Sequence, residues 1–489
     1  MQMSERKPTL WSESRRPRKG EEEAGGTEAS ATIDEGDKLS WRSVFQRDYD
    51  RLLFSTPVRR LSDKTQVWPM DENDGVRTRL THSHEVANLA RSLGSRIATQ
   101  EEGLFNADLH RTIQPILWAI GLAHDLGNPP FGHQGEAAMG RWFKDREAWI
   151  FTHASEEDEK GFAEPIPEKQ RLEFTKFDGN PQTLRLVTRL QTHAHGLGLD
   201  LSAATLAAML KYPVSAENRN KDVPAHKKVG YFETERDIVN WIRDETGLKE
   251  GQRHPLTWIM EACDDVAYSI LDVDDVMKKG IASPEDILSQ MGAEDRLKDH
   301  ACVAKIREAF RRVDEAKHGV FVARDIKIGY MRAYLMEALL DEAAASFIDN
   351  AAAIFAFEGG MLPILEESVL CNFLKSVAKD HAFSNPGVLK SEAVGAEAIS
   401  HIMSFFWASI RDREHNDDIK SCRMTAASKF AWSLVSPNYI EEAARCITKQ
   451  TPPQRIRYAE MRLLTDMVSG MTDSFAMKLW GDIRALPKC

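Results

Sequence analysis

Cysteine is scarce in this 489-residue chain, and its six cysteines are scattered. No Cys-x-x-Cys motif occurs, so the sequence suggests neither a zinc ribbon nor a disulfide framework. Long hydrophobic runs are also missing, because the charge-free apolar stretches 112–123 and 398–410 are shorter than the ~20 residues that span a membrane. The first residues lack the apolar core of a signal peptide. These absences predict a cytoplasmic protein with no membrane segment.

Positive charge is in deficit as well. The chain has 64 Lys and Arg residues against 75 Asp and Glu residues, which gives a net charge of -11. An acidic surface repels the phosphates of nucleic acids and anionic lipids, so general adhesion to either is not expected. A polyphosphate ligand would therefore need a local group of cations or a metal ion. The hydrophobic fraction of 42% is that of a folded globular protein.

Residues 1–40 differ in composition from the rest of the chain. A basic block ends at Lys19, an acidic run follows at 21–23, and apolar residues are few. Such a segment buries too little surface to offset the entropy of ordering, so we predict a flexible tail over 1–40. From Trp41 onward the pattern is helical, and no convincing strand alternation occurs. One apolar stripe at helical spacing consists of Val86, Leu89, Leu93 and Ile97. The expected fold class is all-α.

The segment 121–136, GLAHDLGNPPFGHQGE, is the first candidate for chemistry. An apolar lead-in predicts a buried helix, which Gly127 and the following prolines stop. His124 and Asp125 would then lie at the end of that helix. A buried carboxylate is costly unless it is paired or binds a metal ion. The dipeptide alone is weak evidence, since one His-Asp pair is expected by chance.

Two further segments strengthen a metal-site interpretation. His82 shares the apolar stripe of Val86, although a histidine there could also be an ordinary core residue. Asp264, Tyr268 and Asp272 follow one another at intervals of four residues and share one helix face. Carboxylates and a phenol are poor packing material for an inward-facing stripe. We therefore interpret this face as the wall of a site.

The sequence resembles the bacterial deoxyguanosinetriphosphate triphosphohydrolases, a family of HD-domain metal phosphohydrolases, from about residue 41 to about residue 473. Seven segments carry the resemblance, in order along the chain: RRLSDKTQVWP (59–69), RTRLTHS (77–83), HDLGNPPFGHQGE (124–136), FDGNPQ (177–182), LKYP (210–213), PLTWIMEACDDVAYSILDVDD (255–275) and RLLTDMVSGMTD (462–473). The resemblance implies an HD-domain helical core over 41–285 and a helical C-terminal extension over 286–489 that packs on the same core. It also implies removal of the whole triphosphate from a deoxynucleotide, with dGTP as the favoured substrate.

The resemblance also implies the metal ligands. They would be His82, His124, Asp125 and Asp264. Imidazole and carboxylate donors suit several divalent ions, so the ligand set does not choose among them. We expect Mn²⁺ or Mg²⁺, and Fe²⁺ or Zn²⁺ remain open. Asp265, next to Asp264, is expected to lie outside the ligand set, because the Tyr268 and Asp272 spacing fits Asp264 better.

The remaining site residues divide into a catalytic and a substrate-binding set. His133 and Glu136 lie three residues apart on one helix face and would form a proton shuttle, as the resemblance implies. Without the resemblance, an exposed helix-terminal pair would be the ordinary interpretation. Asn180 would be a further polar active-site group. Phosphate binding is expected at Arg79, on the helix face of His82, and the resemblance implies it also at Lys211 with Tyr212 and at Lys227 or Lys228. Sugar recognition is expected at Gln66, Val67, Tyr268 and Asp272.

Other functions stay open at this point. The chain could be a dNTP hydrolase of broader specificity or another HD-domain nucleotide phosphohydrolase. A non-enzymatic module with a degenerate site is disfavoured, since no expected ligand is missing from the sequence. The resemblance further implies a homo-oligomer, a hexamer or a tetramer, and leaves open an effector that is single-stranded nucleic acid or a second dNTP.

Overall fold

The computed structural model describes residues 7–17, 41–68, 77–445 and 447–486. Across these residues the chain forms twenty α-helices and several short 3₁₀ and π turns. No β-strand occurs in the described part of the chain, where pairing is limited to isolated bridges such as Thr65 with Thr78. The predicted all-α fold class is therefore confirmed.

Ten helices precede residue 280. They are α1 (Val44–Leu53), α2 (Thr56–Arg60), α3 (Arg79–Gln100), α4 (Gln114–Ala123), α5 (Gly132–Lys144), α6 (Glu168–Thr175), α7 (Gly179–Thr188), α8 (Ala203–Met209), α9 (Arg236–Thr246) and α10 (Pro255–Lys278). The other ten are α11 (Pro284–Ala293), α12 (Ala301–Glu315), α13 (Val320–Asp349), α14 (Ala351–Phe355), α15 (Val369–Ala378), α16 (Pro386–Arg411), α17 (Ala426–Ser433), α18 (Pro437–Ala444), α19 (Pro453–Ser469) and α20 (Asp473–Ala485).

Local sequence signals explain the helices that will carry the site. α3 begins after Thr78, whose hydroxyl accepts a hydrogen bond from the third helical residue. α10 begins with Pro255, because proline is favoured in the first helical turn, and the preceding His254 side chain caps it. α4 also has a proline in its first turn, and eight of its ten residues are buried. α4 is thus a core helix from end to end.

Two apolar clusters form the core, and α4 contributes to both. The first cluster lies between α3, α4, α10, α13 and α15, and the second includes α5, α6, α7, α16 and α19. Within α4, Ile116 and Ile120 belong to the first cluster, whereas Leu122 and Ala123 belong to the second. The residue after α4, His124, therefore lies where the two clusters meet.

The chain beyond residue 285 packs onto the part before it. α13 and α15 contact α10, and α16 lies against α5, α19 and α20. The domain boundary at residue 285 stays a prediction from the sequence. Helices on the two sides of this residue pack against each other. By length and composition alone, α16 could cross a membrane, but 50% of its apolar window is buried inside the protein, as in an ordinary core helix.

Residues 7–17 lie against the helical body, which corrects the prediction of a flexible tail for this stretch. The Ser12 carbonyl accepts a hydrogen bond from the first turn of α8 (3.1 Å). The Trp11 ring meets the ring of His254 edge-on, with 5.3 Å between centroids. A few anchoring contacts thus order a segment whose overall composition is polar. The rest of the predicted tail, 18–40, lies outside the described residues.

Candidate metal centre and active site

Three side chains from separate parts of the chain converge at the end of α4. His82 comes from the first turn of α3, His124 directly follows α4, and Asp264 lies in the middle of α10. One potential ligand atom from each lies within 4.8 Å of the other two. The Nε2 atoms of His82 and His124 are 3.3 and 3.4 Å from Asp264 Oδ1. Two imidazoles and a carboxylate at this spacing could hold a divalent metal ion.

The orientation of His124 fits a metal ligand. Its Nδ1 donates a hydrogen bond to the Gly121 carbonyl (2.7 Å), which leaves Nε2 as the free lone pair. Nε2 is buried, and although Asp264 Oδ1 is 3.4 Å away, it makes no well-directed hydrogen bond to any described residue. A buried polar atom without a partner costs free energy, and coordination of a metal ion would satisfy it. The residues present therefore fit a metal centre.

Charge coupling within this group is strong. Burial alone would lower the pKa of His124, but the neighbouring carboxylates of Asp125 and Asp264 raise it to about 9. Burial would raise the pKa of Asp264, but His124 and the Lys211 cation hold it well below its usual range. The carboxylates stay ionised at neutral pH. This concentration of negative charge suits a bound cation.

Asp125, the predicted fourth ligand, directs its carboxylate toward polar neighbours. Arg79 of α3 forms an ion pair with one oxygen, and the Asn128 side chain donates to the other (2.6 Å). Asp125 Oδ1 is 3.6 Å from His124 Nε2, so the carboxylate borders the ligand group. Coordination by Asp125 stays a prediction. Arg79, expected to bind phosphate, here neutralises Asp125 at the same place.

Lys211 lies on the opposite side of Asp264. Its Nζ is 3.4 Å from Asp264 Oδ2 and 3.7 Å from a carboxylate oxygen of Glu261, one turn earlier on α10. Glu261 is itself held by Arg253 at 2.6 Å. Burial opposes the charge, but these carboxylates raise the pKa of Lys211 above its usual value. Tyr212 is buried, with its ring 5.9 Å from the Arg253 guanidinium. A permanent cation therefore adjoins the proposed metal ligands.

His133 and Glu136 meet as their spacing predicts. His133 Nδ1 is 2.9 Å from one Glu136 carboxylate oxygen, and the other oxygen accepts the Gly179 N–H (2.7 Å). The hydrogen bond that His133 donates to Glu136 raises the pKa of His133, and the negative charge of Glu136 adds to this. The His133 side chain is 82% exposed, so it can reach a ligand in solvent. Glu136 thus orients an accessible histidine that readily holds a proton.

Asn180 belongs to a second small network beside that pair. The Asp178 carboxylate accepts hydrogen bonds from the Asn180 backbone N–H (2.9 Å) and side-chain amide (2.6 Å). The other Asp178 oxygen pairs with Lys228, whereas Lys227 is exposed. Of the two lysine candidates, Lys228 is the one tied to this wall of the site.

The residues predicted to recognise sugar include two unsatisfied oxygens. Gln66 Oε1 and Asp272 Oδ2 are buried and have no hydrogen-bond partner among the described residues. Burial raises the pKa of Asp272 well above its usual value, and the charge of Asp275 adds to this although Arg77 opposes it. Burial therefore favours the neutral form of the Asp272 carboxyl group. Polar atoms of this kind suit a ligand hydroxyl.

Tyr268 lies between Asp264 and Asp272 on α10. Its ring stacks on Phe383, with 5.8 Å between centroids and an interplanar angle of 16°. Phe383 ends a π turn, Lys379–Phe383, that follows α15. Val67 is buried, as a packing role requires. The C-terminal part thus contributes an aromatic wall that no local spacing in the sequence indicated.

Several residues that hold the site in place were missed by sequence reasoning. They are Lys64, Asn128, Asp178, Glu261 and Asp473. All five are polar residues inside the motifs quoted above; Glu261 lies between Met260 and Ala262, and Asp178 follows Phe177. That combination was the available signal, because a charged group inside an otherwise buried segment must have a partner.

Comparisons with known proteins agree on one family. The model of the HD domain matches residues 79–185. A deoxyguanosinetriphosphate triphosphohydrolase-like protein of Listeria monocytogenes is 34% identical over 457 residues, which cover 91% of this chain and 94% of that protein. A deoxyguanosinetriphosphate triphosphohydrolase of Salmonella paratyphi A is 31% identical, with 93% of this chain and 99% of that protein covered. A deoxyguanosinetriphosphate triphosphohydrolase-like protein of Synechocystis is 30% identical over 461 residues, which cover 91% of this chain and 94% of that protein.

Proposed function

Because this chain belongs to the deoxyguanosinetriphosphate triphosphohydrolase family of HD-domain proteins, and is therefore a hydrolase, we propose that its substrate is dGTP. In the proposed reaction water attacks the α-phosphorus, the bond from phosphorus to the 5′-oxygen breaks, and that oxygen takes up a proton. The products are deoxyguanosine and inorganic triphosphate.

The phosphate end of the substrate would lie at His82, His124 and Asp264. A divalent ion held by these residues, with Asp125 as the proposed fourth ligand, would supply the positive charge that polarises the α-phosphate. Mn²⁺ or Mg²⁺ is our proposal for this ion, and Fe²⁺ or Zn²⁺ would suit the same donors. Lys211, 3.4 Å from Asp264, would neutralise further phosphate charge.

Proton transfer falls to His133. Its imidazole is exposed, holds its proton through Glu136, and would deliver it to the departing 5′-oxygen. Asn180 and Lys228 border the same opening through Asp178 and would bind substrate oxygens. Arg79, released from Asp125 by a bound cation, would bind a phosphate oxygen.

One observation carries the choice of a deoxynucleoside. Asp264, Tyr268 and Asp272 lie along one face of α10 and span about 12 Å at 1.5 Å per residue, a length that would suit an α-phosphate at one end and a sugar at the other. At the proposed sugar end, the buried oxygens of Asp272 and Gln66 lack a hydrogen-bond donor among the described residues. A 3′-hydroxyl group would supply such a donor. The Tyr268 ring, fixed by Phe383, would fill the space beside C2′ and leave no room for a ribose hydroxyl.

Identification of the products tests this function. Purified protein is incubated with dGTP and either Mn²⁺ or Mg²⁺, and the phosphate products are separated by anion exchange. We expect inorganic triphosphate and deoxyguanosine in equal amounts. Monophosphate, pyrophosphate or dGMP instead would support another HD-domain nucleotide phosphohydrolase.

Substrate breadth separates dGTP preference from a general dNTP hydrolase. The four dNTPs are tested singly and in pairs, and a dNTP that is cleaved only in the presence of a second one would indicate an effector. Single-stranded nucleic acid can be added in the same assay. We further propose a homo-oligomer, a hexamer or a tetramer, in the cytoplasm, to be tested by light scattering and cell fractionation.

A further inference from the structure

Asp473 connects two segments that border the proposed active site. It is 2% exposed, and its Oδ2 accepts hydrogen bonds from the Thr65 backbone N–H (2.9 Å) and from the Thr65 hydroxyl. Its Oδ1 accepts the Phe131 N–H (3.0 Å). Thr65 directly precedes Gln66 at the sugar end, and Phe131 lies two residues before His133 at the proton-transfer end. A single carboxylate therefore fixes both ends of the substrate site.

Lys64 joins the same segments by a second route. Its Nζ donates to the Asn128 carbonyl and to the Ser469 carbonyl (2.8 Å), and the side chain is buried. Asn128 in turn donates to the Asp125 carboxylate (2.6 Å). Burial lowers the pKa of Lys64 to about 7, although the charge of Asp473 opposes the effect. Both cross-links depend on the turn between α19 and α20.

The loop that these bonds hold is under backbone strain. Phe131 has a φ of 61°, in the left-handed region that a residue with a Cβ seldom adopts. Its ring is wedged against Gly395 of α16, where an added Cβ would stand 2.6 Å from the ring. Phe131 is thus held by its N–H through Asp473 and by its ring through α16. Such strained residues persist where their surroundings fix them, often beside active sites.

We propose that Lys64 and Asp473 form a clasp that sets the spacing between the sugar-binding segment and the loop bearing His133. Both are positioning residues, since they act through Thr65, Phe131 and Asn128. The inference rests on the proposed function. Its physical basis is that a displacement of about 1 Å in a substrate site can reduce the rate by ~10²-fold.

The matched control is Asp466, another buried carboxylate of the same motif. It accepts hydrogen bonds from Gln182 (3.0 Å) and Arg185 (2.8 Å) and has no recorded contact with residues 64–67 or 128–133. Asp466→Asn also removes a buried carboxylate charge, one that is paired with Arg185. It therefore reports the general cost of such a change.

The experiment compares Asp473→Asn with Asp466→Asn in the full chain. An amide presents a donor where Asp473 presents only acceptors, so one of its N–H partners is left facing another N–H. We expect kcat/KM for dGTP to fall ~10- to 100-fold. The preference for dGTP over 2′,3′-dideoxy-GTP should fall with it, because Gln66 shifts relative to the bound nucleotide. Bound metal should be unchanged, and Asp466→Asn should lower Tm and keep the preference.

Two further measurements make the outcome decisive. Thr65→Val removes only the hydroxyl bond to Asp473 and should change the sugar preference in the same direction, by less, even if Asp473→Asn fails to fold. Amide hydrogen exchange should rise over both 64–68 and 128–134 in the Asp473 variant only. A Tm loss with the sugar preference unchanged would overturn the clasp. Wild-type protein that hydrolyses no dNTP would refute the proposed function instead, while the exchange pattern would still decide whether the clasp exists.

Discussion

Lys375 Nζ lies 2.9 Å from Asp265 Oδ1, whereas the preceding carboxylate on α10, that of Asp264, faces His82 and His124. Consecutive residues are about 100° apart around a helix, so the two carboxylates serve different partners. Asp265 already has a cation from α15. Asp264 has Lys211 at its Oδ2, but its Oδ1 faces the two histidines, so Asp264 is the carboxylate that a metal ion between them would meet.

Removal of the Asp264 carboxylate and removal of the Asp265 carboxylate should therefore affect metal binding differently. We expect Asp264→Ala to fold, to lose metal affinity by ~10-fold or more and to lose activity, since a core of this size does not depend on one ligand. His124→Ala should behave alike. Asp265→Ala should keep its metal. Metal content after dialysis and dGTP turnover are the measurements, and a fully loaded, active Asp264→Ala would refute this ligand set.

His133→Ala should separate catalysis from binding. The side chain is exposed, and the structure records no contact between it and His82, His124 or Asp264, so metal binding should persist. Turnover should fall by ~10²–10⁴, the range for a lost general acid or base. Initial rates over a range of dGTP concentrations give kcat and KM. A raised KM with kcat unchanged would indicate that His133 binds substrate and transfers no proton.

The pH profile should report the Glu136 hydrogen bond. Because that bond raises the pKa of His133, the protonated acid persists to higher pH, and kcat declines as the pH rises through this pKa. Glu136→Gln removes the charge and lowers the pKa, so the basic limb should move to lower pH. The measurement is kcat from pH 5.5 to 9 at saturating metal and substrate. A limb that stays in place, or moves upward, would contradict the shuttle.

The helical class and the convergence of His82, His124 and Asp264 were predictable because both leave local signals. The stripe of Val86, Leu89 and Leu93 marks α3, and polar groups on an inward face, such as the buried His82 and the half-buried Asp264, need partners. The clasp was not predictable. Lys64 donates a hydrogen bond to Ser469, which lies 405 residues further along the chain, and no spacing rule connects the two positions. The order of residues 7–17 was missed likewise, since it depends on docking sites formed by α8 and α10.

Tyr268 gives a matched test of sugar exclusion. We expect wild-type protein to hydrolyse dGTP and to reject GTP. Tyr268→Ala should relax this exclusion by removing the ring that Phe383 holds in place, whereas Tyr268→Phe should preserve it, because the ring remains. The comparison is kcat/KM for the two nucleotides on each protein. Equal kcat/KM values of the wild-type protein for GTP and dGTP would refute the proposed exclusion of a ribose. The proposed metal centre does not depend on that exclusion.

Asp272 tests the other half of sugar recognition. Its buried carboxyl has an unpaired oxygen, and burial holds its pKa well above the usual range, which favours the neutral form. Asp272→Ala should reduce kcat/KM for dGTP by ~10- to 100-fold, since losing the partner of a buried hydroxyl costs ~1–3 kcal/mol. Asp272→Asn has nearly the same shape and is also neutral, so it should stay within a few-fold of wild type. If Asp272→Asn is as impaired as Asp272→Ala, the residue works as a charged carboxylate. If the wild-type protein cleaves 2′,3′-dideoxy-GTP as fast as dGTP, the proposed contact between Asp272 and the 3′-hydroxyl is refuted.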